Sequence, residues 1–378
     1  MRRLRAEVVV PGTAELGECP VWDQDRGLLL WVDLPAGLIH TFTPTPFTPT
    51  PFTPTPFTPT PFTPTPFTPR TPTHGRPPPT PPSTSTSLDP TSSTPSGRTP
   101  ATPSRASPGS MGSVPPGSAP LLGRTTSPLH GPLTEPFAPG LLEGTGRGTS
   151  GTVFRAGNSG DDPRGGMVTA VALRRDGGLV VARGDRLTLE PGGVPLGRWN
   201  LPHDTRFNDG AVDPWGHFWI GTMCTDRPGT AALYRVAPDG RTTTELTGVT
   251  CSNGLGWSPD HRTMYYVDTP SRTLDAFDVH DGRVTGRRVV AQVRGGLPDG
   301  LAVDEDGCVW VAVWDGAAVH RYTPEGRLDT VVETPCARPT SCAFGGGTLY
   351  VTTAAPDGGS LLAVTGAGGG VPPTPFPG

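Results

Sequence analysis

RFNDGAVDPWGHFWIGTM, residues Arg206–Met223, holds the unit from which the rest of the chain can be read. Two apolar runs flank a polar turn at Asp213–Gly216, and the second run closes on small residues, which is the pattern of a hairpin of short strands. The unit returns downstream as NGLGWSPDHRTMYYVD (Asn253–Asp268), DGLAVDEDGCVWVA (Asp299–Ala312) and SCAFGGGTLYVTTA (Ser341–Ala354). Upstream it is CPVWDQDRGLLLWVD (Cys19–Asp33) and TAVALRRDGGLVVA (Thr169–Ala182). Successive copies open on Asn208, Asn253, Asp299 and Ser341, roughly 45 residues apart, the length of a four-stranded propeller blade. Six such units predict an all-β fold, a six-bladed β-propeller. A helical-repeat solenoid would need long amphipathic stretches that are absent, and evenly spaced, near-identical hairpins argue against a sandwich.

Composition fits this only if one stretch is set aside. The 378 residues include 52 Gly and 50 Pro, with 34% apolar residues. From Phe42 to Pro69 a Pro-Phe-Thr-Pro-Thr motif repeats every five residues, and a Pro/Thr/Ser/Gly-rich sequence continues to residue 163. Proline at this density removes backbone donors and holds the preceding residues extended. Residues 43–163 are therefore expected to be a long low-complexity, polyproline-like, disordered insert. It follows the strand LLLWVDL and precedes VTAVAL, so it interrupts one domain made of 1–42 and 164–378. Expansion of a repeat within a loop accounts for it more simply than a dedicated recognition tract.

Several function classes fall away. The net charge is −4 and every basic residue is Arg, which excludes a generally basic, nucleic-acid-coating surface. Cys19, Cys224, Cys251, Cys308, Cys336 and Cys342 are scattered without a CxxC, unlike a disulfide scaffold or a zinc knuckle. No apolar run reaches signal-peptide length or the roughly 20 residues of a membrane helix. The expectation is a cytoplasmic protein with reduced thiols and neither a nucleic-acid nor a membrane partner. Its oligomeric state is not legible.

In a propeller the inner strand of every blade lines the central channel, so residues at the strand starts meet although they lie far apart in sequence. Here those positions hold Glu18, Arg206, Asn208, Asn253 and Asp299. Taken singly, each is an ordinary turn residue; their shared phase across blades is what points to a site. Two carboxylates and amide oxygens suit one divalent ion, Ca, Mg, Mn or Zn. Such an ion polarises an ester or lactone carbonyl and acidifies a bound water. Arg206 has the donor fork for a carboxylate or sugar hydroxyls, and Asp299 can both ligate the ion and take a proton from water. His203, His217, His261, His280 and His320 fall in unrelated phases, and Gly345–Gly347 lacks the flanks of a phosphate loop.

LGECPVWD (Leu16–Asp23), RFNDGAVDPWGHFWIGTM (Arg206–Met223), SNGLGWSPD (Ser252–Asp260), LPDGLAVDEDG (Leu297–Gly307) and TSCAFGG (Thr340–Gly346) together resemble the SMP-30/gluconolactonase/regucalcin-like family. The resemblance spans essentially all of the chain outside the insert, in order. It implies a six-bladed propeller with one divalent ion near the channel entrance, held by Glu18, Asn253 and Asp299. It implies Arg206 and Asn208 as the substrate-contacting pair and Asp299 as general base in lactone opening. It also suggests Asp226, in CTDRPG, as an acidic residue reaching substrate. The family's GEGP is GECP here, and the insert is a further departure. The strand near Ser360–Gly366 is expected to close the ring beside N-terminal residues. The implied activity is hydrolysis of a small sugar lactone; the other class compatible with the same ligands is a non-catalytic calcium- or sugar-binding propeller.

Overall fold

The computed structural model describes residues 1–44, 153–155, 166–280, 282–356 and 359–378. Their strands form six sheets, the six blades of a propeller. Blade 3 shows the plan. Its inner strand Arg206–Val212 is followed outward by Phe218–Met223, Ala231–Val236 and Thr242–Val249, each antiparallel to its neighbour. The inner strands of the other blades are Gly17–Asp23, Val168–Leu173, Ser252–Trp257, Leu297–Val303 and Pro339–Gly345.

The recurring DPWGHFW and DEDGCVW motifs have a common cause. Asp213 accepts hydrogen bonds from the backbone N–H of Trp215 (2.9 Å) and His217 (2.8 Å), and from Trp219 Nε1 (2.9 Å). Asp304 does the same for Asp306 (3.0 Å), Cys308 (2.8 Å) and Trp310 Nε1 (2.8 Å). One carboxylate thus closes the turn and anchors the tryptophan on which the next blade packs. Arg235 and Arg321 lie over these indoles at 5.8 and 5.7 Å. Trp219 and Trp310 are each 1% exposed, and Trp22 and Trp257 are also buried, as expected of blade-packing residues.

The ring closes through both termini. Glu7–Val10 pairs antiparallel with Leu361–Val364 and completes blade 6, the closure expected of the strand near Ser360–Gly366. Arg2–Arg5 adds in parallel to Leu328–Glu333 at the outer edge of blade 5. Blade 1 is completed from the far side of the low-complexity sequence, where Val153–Arg155 pairs with Leu38–Phe42. Three residues are too few to show strand alternation amid Gly and Ser, so the 164 boundary read from composition passes them by. The rest of the insert expected over 43–163 lies outside the described residues, apart from residues 43 and 44.

Two features position the site. Every inner strand breaks register with its partner at the same height: after Glu18, Val168, Phe207, Ser252, Pro298 and Pro339. Such a bulge inserts a residue and re-aims the side chains beside it. In blade 6 the residue at the break is Thr340, so the unit there begins one place earlier than the Ser341 read from repeat spacing. The glycines that follow the polar residues let the inner strands crowd together. A Cβ at Gly254 would sit 2.6 Å from Leu301 N and 2.8 Å from Asp299 O, and one at Gly300 2.1 Å from Ser341 Oγ.

Candidate functional site

Asn208, Asn253 and Asp299 each stand at the first position of the break in three successive blades, and Glu18 immediately precedes the break in blade 1. Asn208, Asn253 and Asp299 are 9%, 6% and 6% exposed; Glu18 and Arg206 are half-buried. The five residues singled out at the strand starts are therefore brought together at one end of the channel.

They are joined by hydrogen bonds across blades. Arg206 Nη1 donates to Asn208 Oδ1 (2.9 Å) and to its neighbour's carbonyl, Phe207 O (2.9 Å). Asn208 Nδ2 donates to Ser252 O (2.8 Å) and to Asn253 Oδ1 (2.9 Å). Asn253 Nδ2 donates to Thr269 Oγ1 (2.8 Å), which in turn donates to Pro298 O (2.9 Å), the residue before Asp299. Both protons of the Asn208 amide are thus spent inside the protein. Arg206 keeps Nε and Nη2 without a partner among the described residues.

The carboxyls are electrostatically loaded. Burial pushes Glu18 well above the usual carboxylate range, and the negative charges of Asp299 and Asp209 push it further, against Arg206. Burial likewise raises Asp299, with Asp209 adding to it and the Gly300 N–H and Arg206 opposing. Burial pulls Arg206 below its usual value while Cys251, Glu18 and Asp299 hold it up. Two raised carboxyls facing one partly engaged guanidinium form a place that added positive charge would relieve. With the Asn253 amide oxygen they offer the hard oxygen donors a divalent cation takes. That donor set fits a divalent ion, although among the described residues no three His, Cys, Asp or Glu side chains are grouped to hold one.

Asp209, not singled out from the sequence, belongs to this cluster. It follows Asn208 in the same break, accepts from Gly210 N at 2.8 Å, and is pushed up to about 6 mainly by burial. The signal was present in NDG, where the Asp reads as a turn partner of the glycine. Asp226 is exposed on the loop that follows Met223, the strand-end partner of Arg206, and the neighbouring Arg227 grips Asp204 through two contacts of 2.6 Å. No contact links Asp226 to the cluster among the described residues.

Cys19, which replaces the family's glycine, has φ 46°, in the left-handed region glycine favours. Its thiol lies 3.3 Å from Val171 N and 3.4 Å from Val171 O, so the side chain that strains the turn also ties blade 1 to blade 2. All six cysteines are free. Cys251 sits among the amides, 3.7 Å from Asn253 Nδ2, with its thiol pushed up to about 12 by burial.

Beneath the cluster the channel widens into a cavity of about 320 Å³, lined by Cys19, Asp209, Leu255, Leu301 and Ser341 among others. Residues 371–374 form part of its far wall. That segment crosses from blade 5, where Val371 N meets Val303 O (3.0 Å), to blade 2, where Phe376 N meets Leu173 O (2.8 Å). Phe376 is completely buried among the apolar residues of blades 1 to 3. Among the described residues no helix is long and apolar enough to cross a membrane.

The comparisons with known proteins agree with this architecture. The model of the SMP-30/gluconolactonase/LRE-like region matches residues 149–355. Regucalcin of Danio rerio is 37% identical over 239 residues, covering 56% of this chain and 81% of that protein. The 6-deoxy-6-sulfogluconolactonase of Pseudomonas putida is 38% identical over 215 residues, 51% of this chain and 74% of that protein. Among solved structures, the calcium-binding protein regucalcin of Agrobacterium tumefaciens aligns with a TM-score of 0.64 at 20% identity, covering 100% of this chain and 99% of that one. A gluconolactonase of Xanthomonas campestris aligns at 0.57 and 18% identity, covering 95% and 89%. These two share the fold. With more than half of the chain matched by the family model, and a relative 37% identical over most of its own length, this chain belongs to the SMP-30/gluconolactonase/LRE-like family.

Proposed function

We propose that the protein is a divalent-cation-dependent hydrolase that opens small sugar lactones to aldonic acids. The observation that carries this reading is the convergence of Glu18, Asn253, Asp299 and Arg206, at or just before the register breaks of four inner strands, on one end of the channel. The lactonase named among the relatives supports the substrate class.

Glu18, Asn253 and Asp299 are the residues that would hold the ion, and calcium, magnesium, manganese and zinc all accept such oxygens. When bound, the cation supplies positive charge that polarises a lactone carbonyl and acidifies water. Arg206 presents its unspent Nε–H and Nη2–H bonds to sugar hydroxyls. Asn208 acts chiefly by aligning Arg206, because its own amide protons are committed to Ser252 and Asn253. Asp299 takes the proton of the attacking water. The water oxygen joins the carbonyl carbon, the acyl C–O bond of the ring breaks, and the ring oxygen leaves as the hydroxyl of the product, taking up the proton that Asp299 removed from the water. Asp226, exposed on the loop that follows the strand-end partner of Arg206, is the acidic residue proposed to reach substrate from outside the cluster. With its thiols unpaired and no charge pattern for nucleic acid, a cytoplasmic setting is part of the proposal.

The test is acid release from gluconolactone and a panel of aldonolactones. Protein stripped with a chelator is re-supplied with calcium, magnesium, manganese or zinc, and Asp299→Asn is run beside it. Turnover restored by an ion and lost in the variant is the expected result. Folded protein that binds an ion but opens no lactone refutes the hydrolase reading in favour of a calcium- or sugar-binding propeller.

A further inference from the structure

One hydroxyl links the Asn253 amide of blade 4 to the backbone of Pro298, the residue before Asp299 in blade 5. Thr269 opens the short turn Thr269–Ser271 after the second strand of blade 4. Its Oγ1 receives Asn253 Nδ2 at 2.8 Å and donates to Pro298 O at 2.9 Å. Asn253 is 6% exposed and Thr269 is half-buried, so water is a poor substitute at this junction.

The direction of the whole relay follows from its ends. A guanidinium has only donors and a carbonyl only accepts. Arg206 therefore fixes Asn208 with its oxygen toward the guanidinium and its NH2 toward Ser252 O and Asn253 Oδ1. Asn253 must then turn its NH2 to Thr269, and the single proton of Thr269 goes to Pro298 O. No member can reverse without leaving a buried donor facing a donor, and a buried polar group left unsatisfied is costly. The relay thus decides which end of the Asn253 amide is oxygen, and it pins the backbone from which Asp299 springs.

We propose that Thr269 is a positioning residue of the cation site: its hydroxyl holds the Asn253 amide oxygen-outward and ties it to the strand of Asp299. This rests on the reading of Glu18, Asn253 and Asp299 as ligands. Without the hydroxyl, the remaining neighbour of Asn253 Nδ2 is the weak acceptor Cys251 Sγ at 3.7 Å, and the amide is held from its oxygen end alone, by Asn208 Nδ2. The Pro298 carbonyl loses its donor at the same time.

The experiment is calorimetric titration of chelator-stripped protein with calcium and with manganese, in the absence of any lactone. Thr269→Val keeps the shape and removes the hydroxyl; Thr269→Ser keeps the hydroxyl and removes a methyl group. Thr269→Ala replaces the valine variant if that one melts early. The valine variant is expected to bind the ions ~10- to 100-fold more weakly, the usual effect of losing a group that orients a ligand. The serine variant should recover most of the affinity and the wild-type metal-free melting temperature; the valine variant should melt lower, because Asn253 Nδ2 and Pro298 O lose their partner, yet remain folded at the titration temperature. Equal affinity in wild type and valine variant overturns the proposal, as does a serine variant as weak as valine. A wild type that binds no divalent ion overturns it too. Because affinity is read without substrate, ion binding without lactone turnover refutes the hydrolase reading while the Thr269 comparison still decides its own question.

Discussion

Replacing Asp209 by Asn should make the cation-free protein more stable at neutral pH and leave it unchanged in acid. Burial lifts the Asp209 carboxyl from 3.8 to about 6, so the folded protein holds a proton that the unfolded chain has already released. Between about pH 4 and 6 the unfolded state binds fewer protons than the folded one, so stability falls as pH rises through that window and stays lowered above it. About two pH units correspond to about 3 kcal/mol. Asp209 is only half-buried, and solvent screening reduces this to about 1–2 kcal/mol. Asparagine cannot ionise, yet its oxygen can still accept from Gly210 N. It also withdraws the negative charge that helps raise Glu18 and Asp299. For a domain of this size the gain corresponds to a rise in melting temperature of about 2–8 °C. The assay is thermal melting of chelator-treated wild type and Asp209→Asn at about pH 4 and about pH 7.5, the pH values bracketing the window. A difference of the same size at both pH values, or a less stable variant at the higher one, would refute the reasoning.

Other consequences are equally open to measurement. Phe376→Ala empties a completely buried site between blades and should cost about 3–5 kcal/mol in urea denaturation, the range for large aromatic truncations. Trp219→Phe removes one of the donors that Asp213 uses and should cost about 1–3 kcal/mol by the same method, with Asp213 left short of a partner. At Cys19 the glycine variant should be more stable than the alanine variant. Both lose the thiol contacts to Val171, but only alanine keeps a Cβ in the left-handed region, at about 1–2 kcal/mol. Arg206→Lys should raise KM for an aldonolactone by about tenfold or more, the value of a charge-assisted hydrogen bond. Its kcat should change less, because a single ammonium cannot present the fork's paired donors.

What could be read in advance and what could not divides along a physical line. A propeller repeats one local solution six times, and each repeat carries its own turn chemistry. Asp213 and Asp304 each close a turn and hold a tryptophan within a few residues, so the motif is visible in a short window. The same locality exposes Asn208, Asn253 and Asp299, since each sits at its own strand's register break and their phases can be compared along the chain. Contacts between repeats have no such signature. Thr269 matters because the turn after one strand reaches the start of the next blade, and a threonine in TPS looks like any turn residue. Asp209 is hidden for the opposite reason, within a motif whose Asn-Asp-Gly wording already has a sufficient explanation as a turn. Chain ends and interruptions are harder still: Val153–Arg155 and the segment holding Phe376 have their places set by the edges and grooves left open by the rest of the ring. In this fold, then, the groups proposed to contact a ligand are encoded locally and repeated, whereas the groups proposed to orient them are encoded in how neighbouring repeats meet. A variant chosen from motifs alone will find Asp299 and miss the hydroxyl that ties its strand to Asn253.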